Sequence, residues 1–158
     1  MNICFYNTVI GKIGIAETGG SITNVYFEKD ILPQNATEGE TTLLVEASQQ
    51  LDWFLMGKLK QFTLPLAPAG TPFMKQVWAQ LCDIPYGQTA TYKDVAIKMG
   101  NGKASRAIGL ANNRNPIPVF IPCHRVIGSN GTLTGYRGGL GVKKRLLDIE
   151  RKQDNDFF

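Results

Sequence analysis

Histidine is almost absent from this sequence: His124 is the one imidazole in 158 residues. Such a chain cannot build a multi-histidine metal centre, and any general-base role for histidine falls on that position. Cysteine is scarce too. Cys4, Cys82 and Cys123 are an odd number without framework spacing, which argues against a disulfide scaffold and for a reducing compartment, the cytoplasm. Long apolar runs are missing, and Met1 to Ala16 has neither a basic leader nor a continuous apolar stretch. The reading is therefore no signal peptide and no membrane span. Against these absences, the length suffices to bury a core without metals or staples.

What is present is unevenly distributed. Residues 1–69 carry 4 Lys/Arg against 7 Asp/Glu, a net −3, whereas residues 70–158 carry 13 against 6, a net +7. The cationic half fits either a polyanionic partner or a solvated surface. The pattern changes in the proline-punctuated linker Leu64–Gly70, so the expected domains are a structural lobe over 1–66 and a second lobe over 70–158. In the first, Ile3–Phe5, Gly11–Ile15 and Ile22–Phe27 read as strands, with Gly19-Gly20 turning between the last two. A helix capped by Thr41 or Thr42 follows, its apolar face made of Leu43, Leu44, Ala47, Leu51, Phe54 and Leu55. Cys4 reads as strand packing.

The second lobe reads as mainly helical. Thr71 and Pro72 open a helix whose expected inner face is Phe73, Val77 and Leu81, with Cys82 as packing. Segments Tyr92–Met99 and about Lys103–Arg114, separated by Gly100-Asn101-Gly102, read as a helix-turn-helix. In the second segment Ala104, Ala107, Ile108 and Ala111 are expected inward, and Lys103, Arg106, Leu110 and Asn113 outward. A helix pair of this kind serves DNA binding or ordinary packing, and the pattern leaves both open. The overall expectation is α/β in the α+β sense: a sheet-plus-helix lobe, then a helical, winged-helix-like lobe.

Chemistry concentrates in Ile121-Pro122-Cys123-His124-Arg125-Val126-Ile127. Prolines 116, 118 and 122 hold the approach extended and a glycine-rich loop follows, so the pair sits at a strand end. A thiol beside an imidazole is an activated nucleophile or a buried pair of packing residues. In a final helix, about Leu140–Arg151, Glu150 shares a face with Leu146 and Leu147, away from Lys143-Lys144-Arg145. That carboxylate either pairs with His124, giving a Cys123–His124–Glu150 relay, or is solvated beside the polar tail Lys152–Asp156.

These residues, with Thr134-Gly135-Tyr136-Arg137-Gly138-Gly139 and Lys143 to Glu150, resemble the O6-alkylguanine-DNA alkyltransferases, also called methylated-DNA-protein cysteine methyltransferases. The match runs upstream through Tyr86-Gly87, Thr91-Tyr92, Ser105–Gly109 and Asn115-Pro116, and so across most of 72–150. The N-terminal lobe matches loosely. The resemblance implies a DNA repair protein that takes an alkyl group from guanine O6, with O4-alkylthymine left open, onto its own Cys123 in one irreversible turnover. His124 would be the general base, backed by Glu150.

The same resemblance implies the remaining roles. Arg106 would enter the minor groove and fill the vacated stack, with Tyr92 crowding a phosphate and Ala107, Gly109 and Asn113 on the DNA-binding face. Asn115, Pro118, Val126 and Tyr136 would form the substrate pocket. No cofactor or metal is implied: some members hold zinc in the first lobe, which here offers Cys4 alone. The implied partner is double-stranded DNA containing O6-alkylguanine, met by a monomer with no membrane association. Arg137 departs from the family pattern, where a small residue is common, and bears on the alkyl size accepted. A Cys-His-Glu hydrolase and a noncatalytic damage-binding module are the competing classes.

Overall fold

The computed structural model describes residues 1–155, with side chains through Lys152, so part of the polar tail and residues 156–158 lie outside it. The chain divides into two compact units, Met1–Ala69 and the residues from Gly70 on. Among the described residues no helix is long and apolar enough to cross a membrane.

In the first unit, β1 (Asn2–Thr8), β2 (Gly11–Thr18) and β3 (Ser21–Phe27) form an antiparallel meander, with the two-residue β4 (Thr37–Glu38) parallel to β1. The β2–β3 turn needs positive φ at both central positions, and Gly19 (61°) and Gly20 (84°) supply it without steric cost. Helix α1 (Thr42–Leu55) lies over the sheet. The Thr41 hydroxyl accepts from the Leu44 N–H at 3.2 Å and donates to Glu17 Oε2 at 2.7 Å. Leu44, Ala47, Leu51, Phe54 and Leu55 are buried as expected, with Ile13, Ile15, Ile22 and Val25 also in the core. Leu43 is half-buried and Gln50 takes a place on the inner face. Gln50 fits because its amide is fully used: Nε2 donates to Thr63 Oγ1 at 2.9 Å and Oε1 accepts from the Thr63 N–H at 3.0 Å.

The second unit opens with α2 (Pro72–Cys82), where Thr71 accepts from the Met74 N–H at 3.2 Å. Val77, Trp78 and Leu81 are buried, and Trp78 Nε1 donates to the Ala111 carbonyl at 2.9 Å. The expected inner position of Phe73 is thus corrected. The large Trp78 ring turns the buried stripe toward itself, leaving Phe73 and Cys82 exposed. The ring lies so close to Gly70 that a Cβ there would be 2.5 Å from it.

Helices α3 (Tyr92–Lys98) and α4 (Ser105–Asn113) form the helix-turn-helix. Thr91 and Asp94 close a capping box at its start, and Gly100 takes φ 81° in the turn. Ile108, Ala111 and Asn112 face inward. Ala107 does not: it is exposed beside Arg106, because the stripe centred on Ile108 and Asn112 puts Ala107 about a quarter-turn off it. A parallel pair of two-residue strands, β5 (Ala90–Thr91) and β6 (Val126–Ile127), brings the start of α3 beside the segment that follows Cys123. Helix α5 (Leu140–Asn155) closes the unit.

Candidate active site

The segment Asn115–Pro122 is held by side-chain amide bonds where no regular ladder exists. Asn115 Nδ2 donates to the Ile121 carbonyl at 2.8 Å, Asn115 Oδ1 accepts from the Ile117 N–H at 2.9 Å, and the Ile121 N–H donates to the Ile117 carbonyl at 2.9 Å. Inside this clasp Val119 has φ 74°, a conformation a β-branched residue adopts only under constraint, at a cost of about 1–3 kcal/mol. The clasp delivers Cys123 to the start of a single 3₁₀ turn, Cys123–Arg125, all three side chains buried.

Glu150 is the hub behind that turn. At 1% exposure it contacts His124 Nε2 at 2.5 Å through Oε2, Arg125 Nε at 2.8 Å through Oε1 and Arg125 Nη2 at 3.1 Å through Oε2, and Oε1 also accepts from the Gly87 N–H at 3.1 Å. Arg125 further donates to the Ile84 carbonyl at 2.8 Å, and its guanidinium lies over the Tyr86 ring at 5.7 Å. Burial works against the Glu150 charge but is outweighed by the hydrogen bonds from His124 and Arg125 and the positive charge of Arg125, so its pKa is held below the ordinary value. Burial pushes His124 down and outweighs the opposing pull of Glu150, so the ring is neutral. An ionised carboxylate can only accept. The neutral ring therefore carries its proton on Nε2, with the lone pair on Nδ1.

Cys123 is raised by burial, partly offset by the Asn115 hydrogen bond and the positive charges of Lys143 and Arg137, and is a thiol at rest. Lys143 departs from the sequence reading, which set Lys143-Lys144-Arg145 on a face apart from Leu146, Leu147 and Glu150. It is fully buried, and its ammonium donates to the Thr134 carbonyl at 2.7 Å. Burial lowers its pKa and the neighbouring Cys123 opposes that shift.

A pocket of about 10 Å³ brings together four expected residues, Cys123, Asn115, Pro118 and Tyr136. Three more line it: Arg137, whose Nη2 donates to the Asn115 carbonyl at 3.3 Å, Asn113 and Asn112. Asn113, assigned to the DNA face, packs its amide against Gly135, where a Cβ would be 3.1 Å from Nδ2. Val126 is buried on β6 and is not among the described lining residues. Arg106 and Ala107 are exposed on α4, whereas Tyr92 is half-buried with its hydroxyl 2.6 Å from Thr134 Oγ1.

Two family models cover almost the whole chain. Residues 2–68 match the ribonuclease-like domain of 6-O-methylguanine DNA methyltransferase, and residues 72–152 match its DNA binding domain. The chain belongs to the 6-O-methylguanine DNA methyltransferase family. It is 59% identical over 105 residues, 66% of each chain, to the methylated-DNA–protein-cysteine methyltransferase of Methanosarcina barkeri. Identity to the protein of that name from Methanosarcina acetivorans is 47% over 154 residues, covering 95% of this chain and 98% of the relative. The crystal structure of Mycobacterium tuberculosis OGT in complex with DNA superposes with a TM-score of 0.92 at 37% identity, covering 97% of this chain and 94% of that one.

Within this methyltransferase, sequence reasoning missed Arg125, Lys143 and Asn112. Arg125 carried a signal, a cation beside the only histidine and two residues from the nucleophile. Lys143 carried a fainter one, lying seven residues before Glu150 and so on its helical face.

Proposed function

We propose that this chain repairs O6-alkylguanine in double-stranded DNA by moving the alkyl group irreversibly onto Cys123, acting as a monomer in the cytoplasm. The observation that carries the reading is the buried Cys123–His124–Glu150 arrangement at the wall of a pocket in a member of this family. His124 takes the thiol proton at Nδ1, through a water, while Glu150 and Arg125 fix the ring. The thiolate attacks the alkyl carbon in line, the carbon–O6 bond breaks with its electron pair on oxygen, and the purine anion recovers a proton at N1 as guanine. Lys143 and Arg137 stabilise the thiolate charge. The thioether that forms has no easy leaving group, so each chain acts once. A nucleophilic thiol supports a reducing compartment.

Guanine O6 is out of reach inside a duplex, so the nucleotide must be extruded. Arg106 and Ala107 on the exposed face of α4 meet the minor groove, Arg106 filling the gap in the stack, with Tyr92 beside the adjacent phosphate. The fold itself does not demand glycine at 109: a Cβ there would sit at ordinary contact distance, 3.8 Å, from the Tyr92 ring. A close approach of DNA supplies the reason. The pocket has room for about one water, so Tyr136 and Arg137 must move outward to admit a base.

The test is intact-protein mass after mixing with a duplex carrying one O6-methylguanine, followed by peptide mapping. One methyl group on Cys123, saturating at one per chain, is the expected result, and Cys123→Ala should lose all transfer while keeping DNA affinity. Tight binding without a mass gain, or transfer by the alanine variant, would overturn the assignment.

A further inference from the structure

Thr134 belongs to neither the relay nor the exposed face of α4, yet it bonds to a residue on each side. Its Oγ1 lies 2.6 Å from the Tyr92 hydroxyl, and its carbonyl accepts from the Lys143 ammonium at 2.7 Å. Lys143 is buried on α5, so the glycine-rich loop is pinned at the residue that meets Tyr92. Branching at Cβ further limits the Thr134 side chain to few rotamers. Tyr92 is fixed as well: it is the first residue of α3, behind the Thr91–Asp94 capping box, and β5 ties that start to β6. Its ring lies 3.8 Å from where a Gly109 Cβ would sit, and Gly109 shares a face of α4 with the exposed Arg106 three residues earlier. The phenol thus borders the surface proposed to meet DNA.

Two touching hydroxyls share one hydrogen bond, and either can donate it. A phosphate oxygen only accepts. When Tyr92 meets a phosphate its single proton goes there, and Thr134 must then be the donor to the phenol oxygen. We infer that Thr134 is a positioning residue for Tyr92: by donating to the phenol oxygen it holds the tyrosine proton toward the phosphate beside the extruded nucleotide. Each bond in the chain from Thr134 through Tyr92 to the phosphate polarises the next, which strengthens the contact. The inference rests on the reading of Tyr92 as a phosphate contact and deepens it.

The experiment compares single-turnover methyl transfer from a duplex carrying one O6-methylguanine with transfer from free O6-methylguanine base, which has no phosphate. The duplex-to-base ratio of rates is read on the reacting fraction of each preparation, so incomplete folding of a variant does not distort it. Thr134→Val, of similar shape but without the hydroxyl, should lower the ratio roughly two- to tenfold, the range of one hydrogen bond. Thr134→Ser should restore most of it. In a Tyr92→Phe background, Thr134→Val should lower the ratio no further. A purely structural tie would slow both substrates alike, so a ratio that survives in Thr134→Val while Tyr92→Phe lowers it overturns the role of Thr134. A further drop when Thr134→Val is added to Tyr92→Phe overturns it too, because the hydroxyl would then act without the phenol. A ratio unmoved by Tyr92→Phe overturns the phosphate reading beneath it, and absence of methyl transfer to the wild type overturns the alkyltransferase reading itself.

Discussion

The two units bury polar groups in opposite ways. In the first, Gln50 is the buried polar residue among those described, and both ends of its amide close on Thr63. Around it the interior is aliphatic and aromatic: Ile13, Ile15, Ile22, Leu44, Leu51 and Phe54 are almost wholly removed from water. The second unit buries Asn112, Asn115, His124, Arg125, Lys143 and Glu150, and holds Val119 at positive φ. Charges taken out of water cost several kcal/mol each and are offset only by close partners, which is why Glu150 collects four hydrogen bonds from three residues. The first unit keeps its buried side chains mostly apolar, with Gln50 and the Tyr6 and Thr23 hydroxyls as the exceptions. The second accepts strain and desolvation around one sulfur atom, and that is where chemistry is expected.

The sharpest way to break this contrast is to damage each interior once. Glu150→Leu leaves Arg125 buried without its counter-charge and the His124 Nε2–H without its acceptor, and should cost about 3–5 kcal/mol. Phe54→Ala opens a cavity in the first unit and should cost about the same, 3–5 kcal/mol. Urea unfolding measures both. Their effects on chemistry should diverge: per folded molecule, Glu150→Leu slows methyl transfer because the imidazole loses its orientation, whereas Phe54→Ala leaves the rate unchanged. Equal slowing in both variants would mean that the buried charges serve stability in the way the apolar interior does.

A smaller effect separates DNA handling from thiol chemistry inside the second unit. Arg106 is exposed on α4 and is not among the described residues lining the Cys123 pocket. Arg106→Ala should slow transfer from duplex DNA by about tenfold, the worth of about 1.4 kcal/mol of stacking and phosphate contact. Transfer from free O6-methylguanine base should not change. Parallel rate measurements on the two substrates decide the point, and an equal loss on both would move Arg106 into the chemistry.

How far the sequence foretold this contrast depends on the kind of signal. Strand alternation with Gly19-Gly20, the caps at Thr41 and Thr71, and the helix pair were legible because each is written within a few residues. Glu150 was legible because a carboxylate on a leucine face needs a partner. Lys143 was not. Its burial depends on the Thr134 carbonyl in a distant loop, and a lysine followed by Lys144 and Arg145 reads as surface. Phe73 and Ala107 were misplaced for another reason: helical spacing fixes a stripe, but the bulk of Trp78 and Ile108 decides where its edges fall. Strands β4, β5 and β6, of two residues each, are too short to show any period.

The mildest effect is on acid stability and follows from the same buried charges. Burial sets the folded pKa of His124 below its ordinary 6.5, so as the pH falls the unfolded chain takes up that proton first. The stability contributed by the neutral ring is complete above 6.5 and is lost as the pH drops from there through the folded value. Glu150, held below its ordinary 4.5 by His124 and Arg125 against the opposing effect of burial, adds a second loss at lower pH with the same sign. Each group can remove at most about 1.4 kcal/mol per pH unit. Denaturant unfolding between pH 8 and pH 5 should therefore show a decline that begins near 6.5, and His124→Gln should flatten it across that window while leaving the later decline. A wild-type curve that instead rises as the pH falls from 8 toward 6.5 would mean that the buried imidazole is charged beside Glu150, and a ring already holding its second proton could not take one from Cys123.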